Sequence, residues 1–223
     1  MLASAFSWIS DLTDALGDWA GNWWFLGVVF GIALLDSVIP IVPSETTVII
    51  AGVAVSVGET PYSLWMVIVA GAVGAFIGDN VAYSLGRAFS GRIERRAARK
   101  PKFGVRLAWA EDQIRSRGGL LLITARFIPG GRTLLTMSCG ITRQRRAWFM
   151  GWVGIAVIIW ASYAAGLAYV VGKPFQDNHT AAFWVAFGTA LGVNVIIELV
   201  RHRSQKRAVQ QLEAAEERVE RAT

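Results

Sequence analysis

Two apolar stretches of this chain are interrupted by proline together with charge: IPIVPSE at 39–45 and RFIPGGR at 126–132. Proline removes a backbone donor and drives the preceding residue out of helical conformation, so neither stretch can continue as a plain helix. Both nonetheless sit among residues too apolar for ordinary loops. Broken backbone at membrane depth is tolerated only where protein or a water-filled cavity covers it. A chain with two such breaks is expected to fold back on itself twice inside a membrane.

The rest of the sequence agrees with that setting. Hydrophobic residues make up 54% of the 223 positions, above the apolar share of about 45–50% in soluble domains. Apolar runs close to the ~20 residues that cross a bilayer as helix recur at 62–86, 147–172 and 181–200, with a shorter one at 23–39. The predicted fold is therefore an all-α polytopic membrane protein. A re-entrant helical hairpin at 23–57 precedes a transmembrane helix at 62–86, and a second hairpin at 118–141 precedes another at 147–172. A C-terminal transmembrane helix follows at 181–200. Residues 1–22 place Phe6, Ile9, Leu12, Leu16 and Trp19 opposite Asp11, Asp14 and Asp18, the pattern of an interfacial amphipathic helix. This start lacks Lys and Arg, so it has no basic n-region of a cleavable signal and is read as retained. Residues 88–117 read as a cytoplasmic amphipathic stretch and 201–223 as a cytoplasmic tail.

Charge sets the expected orientation. Of the 22 Lys and Arg, ten fall in 87–117, three in 142–146 and six in 201–223. By the positive-inside rule these segments are cytoplasmic, which leaves the N-terminal helix and the 173–180 loop outside. The net charge of +6 is thereby accounted for at the membrane surface, where basic clusters meet anionic lipid. No nucleic-acid partner is called for. Cys139 is the only cysteine, so no intramolecular disulfide or cysteine-cluster metal site can form. His179 and His202 lie in a loop and the tail without metal-ligand spacing; no metal or cofactor is expected.

Internal similarity supports two related halves. Gly71, Gly74, Tyr83 and Gly86 match Gly151, Gly154, Tyr163 and Gly166, each 80 positions later. One crossing separates the halves, so the repeat must be inverted, as in many secondary transporters. The competing view is that small residues recur in any membrane helix because they allow close packing.

Charges inside a bilayer are costly and normally face a cavity or a partner. Asp36 and Glu45 flank the first break, and Arg126 and Arg132 flank the second. A structural ion pair pinning one hairpin to the other is one reading. The functional reading uses the chemistry of each sign. Arginine binds phosphate or carboxylate bidentately, and a helix beginning after the break offers free N–H groups and a positive dipole end to the same anion. Arg126, Arg132 and Thr133 are thus candidates for holding a phosphate head group. Carboxylates in partly dry surroundings can exchange protons near neutral pH, which makes Glu45 and Asp36 candidates for proton coupling. Asp79 and Asn80 either line a cavity or form a hydrogen-bonded pair within the bundle. Tyr83 and Tyr163 reach the same place or simply pack.

The motifs PxxPSE at 40–45, GxxGxxxGD…YxxGR at 71–87, RFxPxxR at 126–132 and the later GxxG…YxxG together resemble the DedA family, also described as SNARE-associated or VTT-domain membrane proteins, over about 23–200. The resemblance implies re-entrant hairpins that face each other. It also implies that the acids of the first, here Asp36 and Glu45, and the arginine pair of the second, here Arg126 and Arg132, are needed for activity. Members are associated with lipid translocation, including undecaprenyl phosphate recycling and phosphatidylethanolamine movement, and with dependence on the proton motive force.

The leading expectation is a non-enzymatic flippase of the bacterial cytoplasmic membrane that moves a polyprenyl phosphate carrier such as undecaprenyl phosphate for envelope synthesis. A phosphatidylethanolamine or general phospholipid flippase or scramblase is the alternative within transport, and a proton-coupled small-ion antiporter is another. A membrane enzyme such as a lipid phosphatase lacks a visible nucleophile and base. The expected partners are the membrane and a lipid with an anionic head group; the oligomeric state is left open, with a homodimer among the options.

Overall fold

The computed structural model describes residues 19–39, 44–58, 60–127 and 131–175, with four further positions between 185 and 192. Among the described residues the chain is all-helical, with six α-helices: α1 Phe25–Val38, α2 Ser44–Val57, α3 Leu64–Arg99, α4 Pro101–Thr124, α5 Gly131–Ile141 and α6 Arg146–Gly172. Short 3-10 turns follow α4 at Ala125–Phe127 and α6 at Lys173–Phe175. The expected interfacial helix at 1–22, apart from its last residues, the crossing at 181–200, apart from four positions, and the tail at 201–223 lie outside the described residues.

Helix lengths follow from where the sequence breaks. α1 and α2 have 14 residues each, about 21 Å at 1.5 Å per residue, too short to cross a hydrocarbon core of about 30 Å. α1 stops at Val38 because Ile39 is extended, as the residue before Pro40 should be. α3 and α6, by contrast, are long and apolar enough to cross a membrane.

Two expected boundaries fall inside helices. α3 does not end near 87 but runs on through the basic residues to Arg99, where the extended Lys100 before Pro101 breaks it. α4 then passes through 117–118 without interruption, so the amphipathic stretch and the first arm of the second hairpin are one helix. Gly118 and Gly119 are not breakers here. A Cβ at Gly118 would fall 2.8 Å from the Trp148 ring, and one at Gly119 would collide with Trp152. Both glycines stay helical and give up their side chains to admit tryptophan.

The described helices divide into two compact units. The first takes α1, α2, residues 64–78 of α3 and 154–172 of α6. Small residues bring its backbones together, the usual means of helix association where burial from water supplies no drive. A Cβ at Gly74 would collide with the Phe30 carbonyl, and one at Gly78 with the Leu34 carbonyl. Ser37, fully buried, places its hydroxyl within 3.1 Å of the Ala33 carbonyl and 3.3 Å of the Ala75 carbonyl. Gly52 meets Ala165 and Ala168 in the same way. Val29, Val48, Val67 and Trp160 fill the space between.

The second unit takes residues 79–99 of α3, α4, α5 and 146–153 of α6. Its closest approach is reciprocal: a Cβ at Gly86 would strike the Met137 carbonyl, and one at Gly140 the Tyr83 carbonyl. Helix α5 ends with Arg143 in the left-handed region at φ 53°. Gln144 N–H donates to the Cys139 carbonyl at 3.0 Å, the long-range bond of a Schellman-type stop. Glycine would normally occupy position 143; here the arginine reaches Glu94 at 3.1 Å and Ser90 at 3.2 Å.

Candidate functional site

The charges singled out in the sequence separate between the two units. Asp36 lies in the last turn of α1 and Glu45 in the first turn of α2, on either side of the first break. Both are half-buried. An acid suits the positive N-terminal end of α2 but is disfavoured at the negative C-terminal end of α1. Asp36 is compensated across the break: its carboxylate accepts a hydrogen bond from the hydroxyl of Ser44, the fully buried first residue of α2. Such a bond to a charged acceptor is among the stronger neutral-donor bonds. Ser44 was not expected as a participant. Its only sequence signal was its place between Pro43 and Glu45.

In the second unit Arg126 sits in the 3-10 turn after α4, and Arg132 and Thr133 in the first turn of α5. All three are buried, Arg126 at 3% and Arg132 at 5% exposure. The Arg126 guanidinium Nη1 donates to Oδ2 of Asp79, whose side chain is completely buried. The structure therefore gives Arg126 an acid on the long helix α3, 47 positions away. Asn80, next in sequence, is half-buried.

Tyr83 is buried and packed. Its ring stacks on Phe149 with centroids 4.5 Å apart. Its hydroxyl donates to the Gln144 carbonyl at 2.6 Å and accepts from Arg87 at 3.1 Å, tying α3 to the loop after α5. Tyr163, its repeat counterpart, is half-buried and belongs to the other unit. Among the described residues no group of three or more His, Cys, Asp and Glu is placed to hold a metal ion.

Chemically, the second unit offers two buried guanidinium groups on either side of a break, with the Asp79 carboxylate on Arg126, and a buried threonine at a helix start. The first unit offers two carboxylates and a hydroxyl.

Residues 42–170 match the VTT domain. The chain is 28% identical over 209 residues, 90% of its length and 93% of the relative's, to a protein of Synechocystis described as an uncharacterized membrane protein. It is 23% identical to Protein DedA of Escherichia coli K12 over 81% of this chain and 84% of that one. A protein of Lactococcus lactis subsp. cremoris described as alkaline phosphatase-like is 25% identical over 68% of this chain and 72% of its own. No solved structure matches.

Proposed function

The chain belongs to the VTT-domain, or DedA, family of membrane proteins, and on that premise we propose that it is a lipid transporter for a polyprenyl phosphate carrier such as undecaprenyl phosphate. The observation that carries this reading is the burial of Arg126 and Arg132 about the break between α4 and α5. Two guanidinium groups kept from water at such a cost fit a phosphate that arrives with an apolar tail, because a membrane interior is where that head group must be stripped of water. Thr133 and the start of α5 add a hydroxyl and backbone N–H donors to the same phosphate.

Glu45 and Asp36 are assigned to proton coupling, as exchangeable acids in the first unit. In the bacterial cytoplasmic membrane, with the C-terminal tail inside, the proton gradient would then drive the carrier between leaflets. Transport without covalent change of the lipid is the activity proposed; a phosphatase would release inorganic phosphate instead.

The purified protein in liposomes should move fluorescent polyprenyl phosphate between leaflets, and Arg132→Ala should lower the rate by at least about tenfold, the loss expected from one charge-assisted head-group contact. Transport by Arg132→Ala at the wild-type rate would defeat the assignment. A second cargo, phosphatidylethanolamine, is favoured by one observation: Asp79 beside Arg126 matches a zwitterionic head group, acid to ammonium and arginine to phosphate. Competition by phosphatidylethanolamine in the same assay separates the two.

A further inference from the structure

Asp79 has no exposed surface, and only one of its two carboxylate oxygens is engaged. Oδ2 accepts from Arg126, while Oδ1 has no hydrogen-bond partner among the described residues. A carboxylate kept solely to stabilise a buried arginine gains most from a bidentate fork, since two parallel bonds satisfy more lone pairs and offset more desolvation. A single-point pair neutralises Arg126 yet leaves a buried acceptor unmet. Exchanging that carboxylate for another anion on the guanidinium therefore costs less than opening a fork.

Release must also be possible. A site that moves its ligand has to bind it well enough to take it up and weakly enough to let it go. Two buried arginines alone would hold a phosphate tightly. A negative charge beside one of them weakens that hold through repulsion, which is strong where the surroundings are poorly polarisable.

Resting on the assignment of Arg126 to head-group binding, we propose that Asp79 is an exchangeable counter-ion. Its carboxylate occupies Arg126 while the site is empty, a phosphate monoester displaces it on binding, and its return to the guanidinium expels the phosphate. Asp79 is thus a positioning residue that sets affinity against turnover, and the arginines are what the ligand touches.

The test uses the full chain in phosphatidylcholine nanodiscs for binding and in liposomes for transport, with farnesyl phosphate and inorganic phosphate as probes. Asp79→Asn is expected to bind farnesyl phosphate roughly tenfold or more tighter, because one like charge is removed from beside a buried anion, and to translocate labelled polyprenyl phosphate more slowly. Asp79→Glu keeps the charge and should not tighten binding. Weaker or unchanged binding by Asp79→Asn, with loss of binding by Arg126→Ala, overturns the counter-ion and leaves the head-group site standing. Wild-type binding by Arg126→Ala overturns the head-group site itself. Inorganic phosphate that competes as well as farnesyl phosphate overturns the lipid as ligand; failure to compete supports it. If Asp79→Asn does not fold, the wild-type infrared difference spectrum decides. Adding farnesyl phosphate should shift a carboxylate band that Asp79→Glu displaces, and no carboxylate change would end the proposal.

Discussion

Asp36 and Asp79 were both visible in the sequence as acids among apolar residues, and the structure resolves them in different ways. Asp36 sits where the dipole of α1 is unfavourable to it and depends on a donor from beyond the break. Removing that donor should cost about 1.5–3 kcal/mol, the range for hydrogen bonds to charged groups. Ser44→Ala is accordingly expected to lower the melting temperature of the detergent-solubilised protein, while Thr47→Ala, whose hydroxyl donates to the Ser44 carbonyl at 2.9 Å, should lower it less. Equal losses would mean that the hydroxyl of Ser44 does not hold the break. Proline spacing announced the break at 39–45, but not that a serine would bridge it. Such a bridge requires the two helix ends to come back together, and nothing local in the sequence dictates that return.

At the scale of helices, the glycines show how far a repeat in sequence can carry. Gly86 and Gly166 occupy equivalent positions, yet Gly86 lies hard against the Met137 carbonyl whereas nothing among the described residues lies within 4 Å of Gly166. Gly74 presses on Phe30, whereas a Cβ at its counterpart Gly154 would meet, among the described residues, only the Phe76 ring at 3.9 Å. Gly86→Ala and Gly140→Ala should each destabilise the protein by about 1–3 kcal/mol, since backbone must shift to admit the methyl. Gly166→Ala should leave stability unchanged or raise it by up to about 1 kcal/mol through helix propensity. Thermal unfolding of the three variants checks this, and parallel losses in all three would show that the motif, not the packing, sets the requirement. Helix type and the two proline breaks were legible because they depend on neighbours in the chain. The end of α3 at 99 and the continuity of α4 through 117–118 were not, the latter because Gly118 and Gly119 look like punctuation until Trp148 and Trp152 fill the space beside them.

For the molecule as a whole, we propose an orientation from the charge of α3. Its 36 residues extend about 54 Å, well beyond a hydrocarbon core of about 30 Å, and its basic residues gather toward its C-terminal end. Arg92, Arg95, Arg96, Arg99 and Lys100 are all exposed there. With the buried Cys139 replaced by Ser, single cysteines at the exposed positions Ser63 and Lys100 should react with an impermeant thiol reagent from opposite faces, Ser63 from outside and Lys100 from the cytoplasm. Labelling of both from one face would refute the crossing.

By itself the sequence determined that this is a helical membrane protein, where its chain breaks, and which charges the apolar segments must shelter, because each follows from the composition and spacing of residues close together in the chain. Only the tertiary structure decided which charge answers which. Arg126 found its acid on α3, and Asp36 found a hydroxyl on α2, since a buried charge must be neutralised by whichever polar group close helix packing brings within reach, and small residues far apart in the chain set that packing.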